Sequence, residues 1–117
     1  MENGPRNFEA ATEANAILGK GSEFEGKLAF EGTVRIGGHF RGEIFTNDTL
    51  VINPGAQVEA QIEAETVIIS GAVKGNIFAR RRVIMHPPAI FQGTVTTPSL
   101  RIDEGVLFEG ASYMPKN

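Results

Sequence analysis

The sequence predicts an all-β fold, a single parallel β-solenoid of about six coils with three short strands per coil, on three observations. An apolar-x-apolar pair recurs six times in 117 residues, at spacings of 18, 16, 17, 16 and 17. Each pair is followed by a segment of the form aromatic-or-Val, x, Gly-or-Ala, x, aliphatic. Turn-forming residues fall between the two. A repeat of about 17 residues is shorter than the ~20 to 47 residues of helix-containing repeats, and its internal alternation has the period of a strand. At ~3.3 Å per residue one copy traces a perimeter of roughly 56 Å, enough for three short strands and three corners around a dry core. Stacked at ~4.8 Å per coil, the copies make a parallel rod roughly 29 Å long.

The copies follow in order. The first holds Ala16 and Leu18, then Phe24-x-Gly26-x-Leu28. The second holds Val34 and Ile36, turns at Gly37-Gly38 and continues Phe40-x-Gly42-x-Ile44. The third runs Leu50, Ile52, the corner Asn53-Pro54-Gly55, then Val58-x-Ala60-x-Ile62. The fourth runs Val67, Ile69, Ser70-Gly71, then Val73-x-Gly75-x-Ile77. The fifth runs Val83, Met85, His86-Pro87-Pro88, then Phe91-x-Gly93-x-Val95. The sixth runs Leu100, Ile102, Asp103-Glu104-Gly105, then Phe108-x-Gly110-x-Ser112, where the last position breaks the pattern. The column of Gly26, Gly42, Ala60, Gly75, Gly93 and Gly110 is expected to point inward, small because a large residue two positions earlier already fills a narrow interior. Residues 16–114 form the β-helix domain, 1–15 a flexible tail and 115–117 a short tail.

Composition narrows the function. At 41% apolar, one domain of this length can bury a core. No stretch approaches ~18 consecutive apolar residues, and the start has no basic region leading into an apolar one, so the chain is expected to be soluble and unsecreted. With no cysteine, thiol catalysis, disulfides and thiolate metal sites are excluded. A net charge of -3 provides no field for wrapping nucleic acid, and direct nucleic-acid binding is not expected.

A solenoid covers every strand edge except those of its first and last coils, and each end exposes unpaired backbone groups over an apolar cross-section. No capping segment is evident at either end. The expected polymerisation surfaces are Leu18, Phe24, Leu28 and Phe30 in the first coil, and Leu100, Ile102, Phe108, Tyr113 and Met114 in the last. Stacking one open end on another gains strand hydrogen bonds and core burial together. The partner implied is therefore the chain itself, in end-to-end contact.

Outward residues of stacked coils form ladders. One reads Glu25, Arg41, Glu59, Lys74, Gln92, Glu109, and its alternating signs favour one register over a slipped one. A second reads Ile17, Arg35, Val51, Ile68, Ile84, Arg101; its three consecutive aliphatics form an apolar patch on an outer wall. A third reads Phe45, Glu63, Phe78, Thr96, Tyr113. Val51, Ile68, Ile84, Phe45 and Phe78 are thus candidates for lateral or partner contact. The Arg80-Arg81-Arg82 run lies one coil along from Glu63 and Glu65 and reads as a charge-compensated corner. His39 and His86, in different coils without recurring carboxylates, read as turn residues and not as metal ligands. No catalytic residue, metal site or cofactor is expected.

From Ala16 to Met114 the chain resembles the bactofilins. The resemblance rests on Ala16-Ile17-Leu18-Gly19-Lys20-Gly21, the Phe/Val-x-Gly-x-Ile segments, Val73-Lys74-Gly75-Asn76-Ile77 followed by the arginine run, and Phe108-Glu109-Gly110 near Met114. It implies a right-handed β-helix that polymerises end to end without nucleotide. It also implies a bacterial cytoplasmic scaffold for cell-shape, cell-wall, polarity or chromosome-segregation factors, with client or sibling scaffold proteins as partners. The short apolar membrane-targeting segment of many relatives has no counterpart at this start, so membrane association would run through partners. Two other readings remain. A hexapeptide-repeat acyltransferase would keep an 18-residue period, and this chain drifts between 16 and 18. A β-helix with a capped end would act as a non-polymerising protein-binding module.

Overall fold

The computed structural model describes residues 8–11, 15–18, 21 and 23–114. Its strands are β1 (Phe8–Ala11), β2 (Asn15–Leu18), β3 (Glu23–Phe30), β4 (Thr33–Ile36), β5 (His39–Thr46), β6 (Thr49–Ile52), β7 (Gln57–Ile69), β8 (Ala72–Met85), β9 (Ile90–Thr96), β10 (Leu100–Ile102) and β11 (Leu107–Tyr113). They join in one 11-stranded sheet with every pairing parallel, and no helix occurs among the described residues. The sheet winds into a three-sided β-solenoid, as the repeat predicts.

The first side stacks β2, β4, β6, the end of β7, the end of β8 and β10, aligning Ala16, Val34, Leu50, Val67, Val83 and Leu100. The second side stacks the starts of β3, β5, β7, β8, β9 and β11, aligning Phe24, Phe40, Val58, Val73, Phe91 and Phe108. The third side continues the same strands and aligns Leu28, Ile44, Ile62, Ile77 and Val95. Six rungs on the first side enclose about five turns, not six, since stacked rungs outnumber the turns between them by one. Apolar residues of the inner rungs fill the core, with Val34, Leu50, Val67, Val83, Phe40 and Phe91 all fully buried.

The glycine column corrects one expectation. These glycines are small because of the backbone, not because the interior is crowded. Each marks the bend between second and third sides at positive φ, between 134° and 143° for Gly26, Gly42, Gly75, Gly93 and Gly110. A Cβ on Gly93 would stand 1.8 Å from the carbonyl oxygen of Gly75 in the preceding coil, and one on Gly42 1.9 Å from that of Gly26. Backbone meets backbone at this edge, so only glycine combines the bend with the stacking distance. Ala60 occupies the column without positive φ.

Corners between first and second sides come in two lengths. The longer ones close a turn, with Ala56 N–H donating to Asn53 O at 3.1 Å, Ala89 to His86 O at 2.9 Å and Val106 to Asp103 O at 3.3 Å. Their last residue points inward, and Ala56 and Ala89 are core residues. Between third and first sides, the step from Ala64 to Thr66 is matched by one from Ala79 to Arg82, an irregularity that places one extra residue within the arginine run. Two corner threonines are fully buried. The Thr46 hydroxyl donates to Gly32 O at 2.7 Å and accepts from the Asp48 N–H at 3.2 Å. The Thr97 hydroxyl donates to Ser99 O at 3.1 Å.

The segment 1–15, expected as a tail, contributes β1, which pairs with Lys27–Phe30 and carries the third side one rung past the first coil. Its remaining residues, except Asn15 in β2, lie outside the described residues, as do 115–117.

Candidate assembly surfaces

The inward columns lose their cover at the C-terminal end. Ile36, Ile52, Ile69 and Met85 are 0% exposed, while Ile102 in the same column is 41% exposed. Thr97 is 0% exposed, while Met114, after β11, is 53% exposed. Leu100, Val106 and Phe108 are half-buried against the core, and Phe108 stacks on Phe91 with ring centroids 5.3 Å apart. β10 and β11 each pair on one flank only among the described strands, leaving their outer edges open. Core-type side chains and unpaired strand edge therefore coincide in one cross-section, the combination that takes another strand.

The N-terminal end differs. Phe24 is half-buried and stacks on Phe40 at 5.4 Å and 4° between planes. Leu28 and Phe30, expected on the open face of the first coil, are buried within the chain, because β1 continues the sheet beyond Lys27–Phe30. The outermost strands here are β1, β2 and the start of β3. The side chain of Leu18 lies outside the described residues, although its backbone pairs opposite Ile36.

The outer walls carry the ladders in the expected register. Glu25, Arg41, Glu59, Lys74, Gln92 and Glu109 align, with Arg41 Nε 3.3 Å from Glu59 and Gln92 Nε2 donating to Glu109 at 3.2 Å. Val51, Ile68 and Ile84 align on the outside of the first side and are half-buried. Phe45 and Phe78 are exposed in a shared column with Glu63 between them, and Tyr113 ends that column on the outer wall rather than in the end face. Arg80 reaches Glu63 at 3.4 Å and Glu65 at 3.8 Å, so this part of the arginine run is charge-compensated.

His86 is joined across coils to the next corner, its Nδ1 2.7 Å from Asp103 Oδ2, while Arg101 Nε donates to Asp103 Oδ1 at 3.1 Å. The hydrogen bond from His86 is the main cause that holds the Asp103 carboxyl below its ordinary value; burial pushes it up by less, and the hydrogen bond and charge of Arg101 lower it further. No three potential ligands converge on a metal position among the described residues. Sequence reasoning missed Ile90 and Leu107, exposed and adjacent at the start of the second side; their positions outside the apolar pairs mark them only as corner neighbours. No helix among the described residues is long and apolar enough to cross a membrane.

Comparison with known proteins agrees with this geometry. A model of the Bactofilin family, described as polymer-forming cytoskeletal, matches residues 16–113. Bactofilin BacO of Myxococcus xanthus (strain DK1622) is 30% identical over 97 residues, which cover 83% of this chain and 77% of BacO. Bactofilin BacP of the same organism is 28% identical over 96 residues, 82% of this chain but only 40% of BacP. The atomic structure of the cytoskeletal bactofilin BacA, obtained by solid-state NMR, superposes with a TM-score of 0.80 at 25% identity, over 90% of this chain and 100% of that one.

Proposed function

Because the chain belongs to the bactofilin family of polymer-forming cytoskeletal proteins, we propose that it assembles end to end, without nucleotide, through its terminal coils. The resulting filaments serve as a non-enzymatic scaffold in the bacterial cytoplasm for factors acting in cell shape, wall synthesis, polarity or chromosome segregation. The observation that carries this reading is the change along single columns, from full burial at Ile36 through Met85 to 41% exposure at Ile102. An exposed core column over an open strand edge is stabilised by continuing the stack, because the next rung supplies both hydrogen bonds and apolar cover. At the N-terminal end the contact runs over β1, β2, Phe24 and the start of β3. β1 covers the third side of the first coil, yet it is a parallel strand with its own outer edge free of described partners, so it extends the solenoid instead of closing it.

The test is Phe108→Arg beside wild type, without nucleotide or metal, by negative-stain electron microscopy and a sizing column. Wild type is expected to form filaments, and the variant small particles with unchanged β-sheet circular dichroism. A wild type that elutes as one small species at every salt concentration removes the polymer reading in favour of a capped binding module.

A further inference from the structure

The outer face of the first side holds arginines without described ion-pair partners. On the second and third sides part of each charged ladder pairs internally, Arg41 with Glu59 at 3.3 Å and Lys27 with Glu43 at 3.9 Å. The outer face of the first side instead carries the half-buried aliphatic stripe Val51, Ile68, Ile84, with Arg35 one rung before it and Arg101 one rung after. Exposed Arg82 sits two residues before Ile84 on the same strand, and the extra residue of the corner irregularity adds exposed Arg81 at the margin. Neither Arg35, Arg81 nor Arg82 makes an ion pair with a described residue. Three of the carboxylates bordering this face are already engaged: Glu65 by Arg80, Asp103 by His86 and Arg101, and Asp48 by the Thr49 hydroxyl.

We propose that this face is a docking wall for an acidic amphipathic helix of about four turns contributed by a partner protein. The spacing carries the choice of a helix. Rungs lie ~4.8 Å apart, close to the ~5.4 Å pitch of an α-helix, so a helix laid along the rod places one residue per turn over each rung. Apolar residues at i, i+4 and i+7 cover Val51, Ile68 and Ile84. Acidic residues at i-4 and i+11 are about 22 Å apart along the helix, against roughly 19 Å from Arg35 to Arg101 along the wall, a difference that arginine side chains absorb. Such a helix meets Arg35 at one end of its apolar stripe and Arg81 and Arg82 along one flank, all without described ion-pair partners, and at the other end Arg101, which Asp103 already shares. A lipid surface fits less well, since three half-buried aliphatics in a rigid sheet have nothing to insert and a bilayer has no use for fixed arginine spacing. The proposal is independent of how the filament ends meet.

The test uses the full chain and a fluorescent 18-residue peptide with Leu at the three stripe positions and Glu at the flanking ones. A scrambled peptide of equal composition and vesicles containing phosphatidylserine serve as comparisons. The ordered peptide is expected to bind, and Ile68→Glu to weaken it at least about tenfold, the loss typical of a central interface anchor. The pair Arg35→Glu and Arg82→Glu, at exposed positions outside the terminal coils and without described ion-pair partners, is expected to weaken it comparably and to reduce its salt dependence. Filaments of both variants should look normal, which separates this wall from the end contacts. Equal binding of the scrambled peptide, no effect of the arginine pair, or arginine-dependent capture of vesicles without the peptide would each overturn the proposal.

Discussion

Ile69 and Ile102 stand in the same inward column two rungs apart, one fully buried and the other 41% exposed. Val58 and Phe108 repeat the contrast on the second side, where Val58 is covered by rungs above and below and Phe108 by Phe91 alone. The residue types differ little between these places. What differs is the number of neighbouring rungs, and in a repeat rod each coil is stabilised mainly by the coils it touches. Inner columns therefore hold the fold, while the same chemistry in the last coil lacks one covering rung, which is the basis of the proposed end contact.

The largest expected effect breaks that contrast at its strong end. Val58→Arg is expected to unfold the protein, because arginine cannot shed its charge and a buried unpaired ion costs several kcal/mol. Circular dichroism checks this; a Val58→Arg rod as stable as the Phe108→Arg rod would show that interior and end are equivalent. Next come the bend glycines. Gly93→Ala and Gly110→Ala each put a Cβ 1.8 Å from the preceding carbonyl at positive φ. Gly93→Ala is expected to cost about 3 kcal/mol in denaturant unfolding, from strain inside the rod. Gly110→Ala is expected to cost less stability and more filament, because only the last rung must shift.

Thr46→Val is smaller again. It leaves the Gly32 carbonyl and the Asp48 N–H without their buried partner, a loss of about 1 to 3 kcal/mol that denaturant melts can resolve. The smallest effect belongs to the corner pair near the end. The Asp103 carboxyl titrates below its ordinary 3.8, so its contribution to stability is present above 3.8 and is lost as pH falls through the lower folded value. NMR titration of Asp103 should show the depressed midpoint, and His86→Gln should move it up toward 3.8.

The period-2 columns were legible because each inward residue repeats with its neighbours, and the pairings of Val34 with Leu50 and of Arg41 with Glu59 fall where the spacings put them. Corners were less legible. Ala56 and Ala89 point inward where no alternation surrounds them, and Thr46 and Thr97 are buried by local hydrogen bonds that a polar residue in sequence does not announce. β1 escaped because Phe-Glu-Ala-Ala contains too little alternation to mark a strand, although it covers Leu28 and Phe30 and so changes which atoms the first coil presents. The glycine column was found for the wrong reason, since stacking of carbonyls is a property of the assembled coils and not of any one segment.

Hydrogen–deuterium exchange on wild-type filaments beside the Phe108→Arg rod tests the end-contact account most directly. Protection gained on assembly should concentrate in residues 100–113 and in 8–11, 15–18 and 23–26, with residues 57–85 unchanged. Protection gained mainly along the walls of the middle coils, with the terminal strands still exchanging freely, would contradict it.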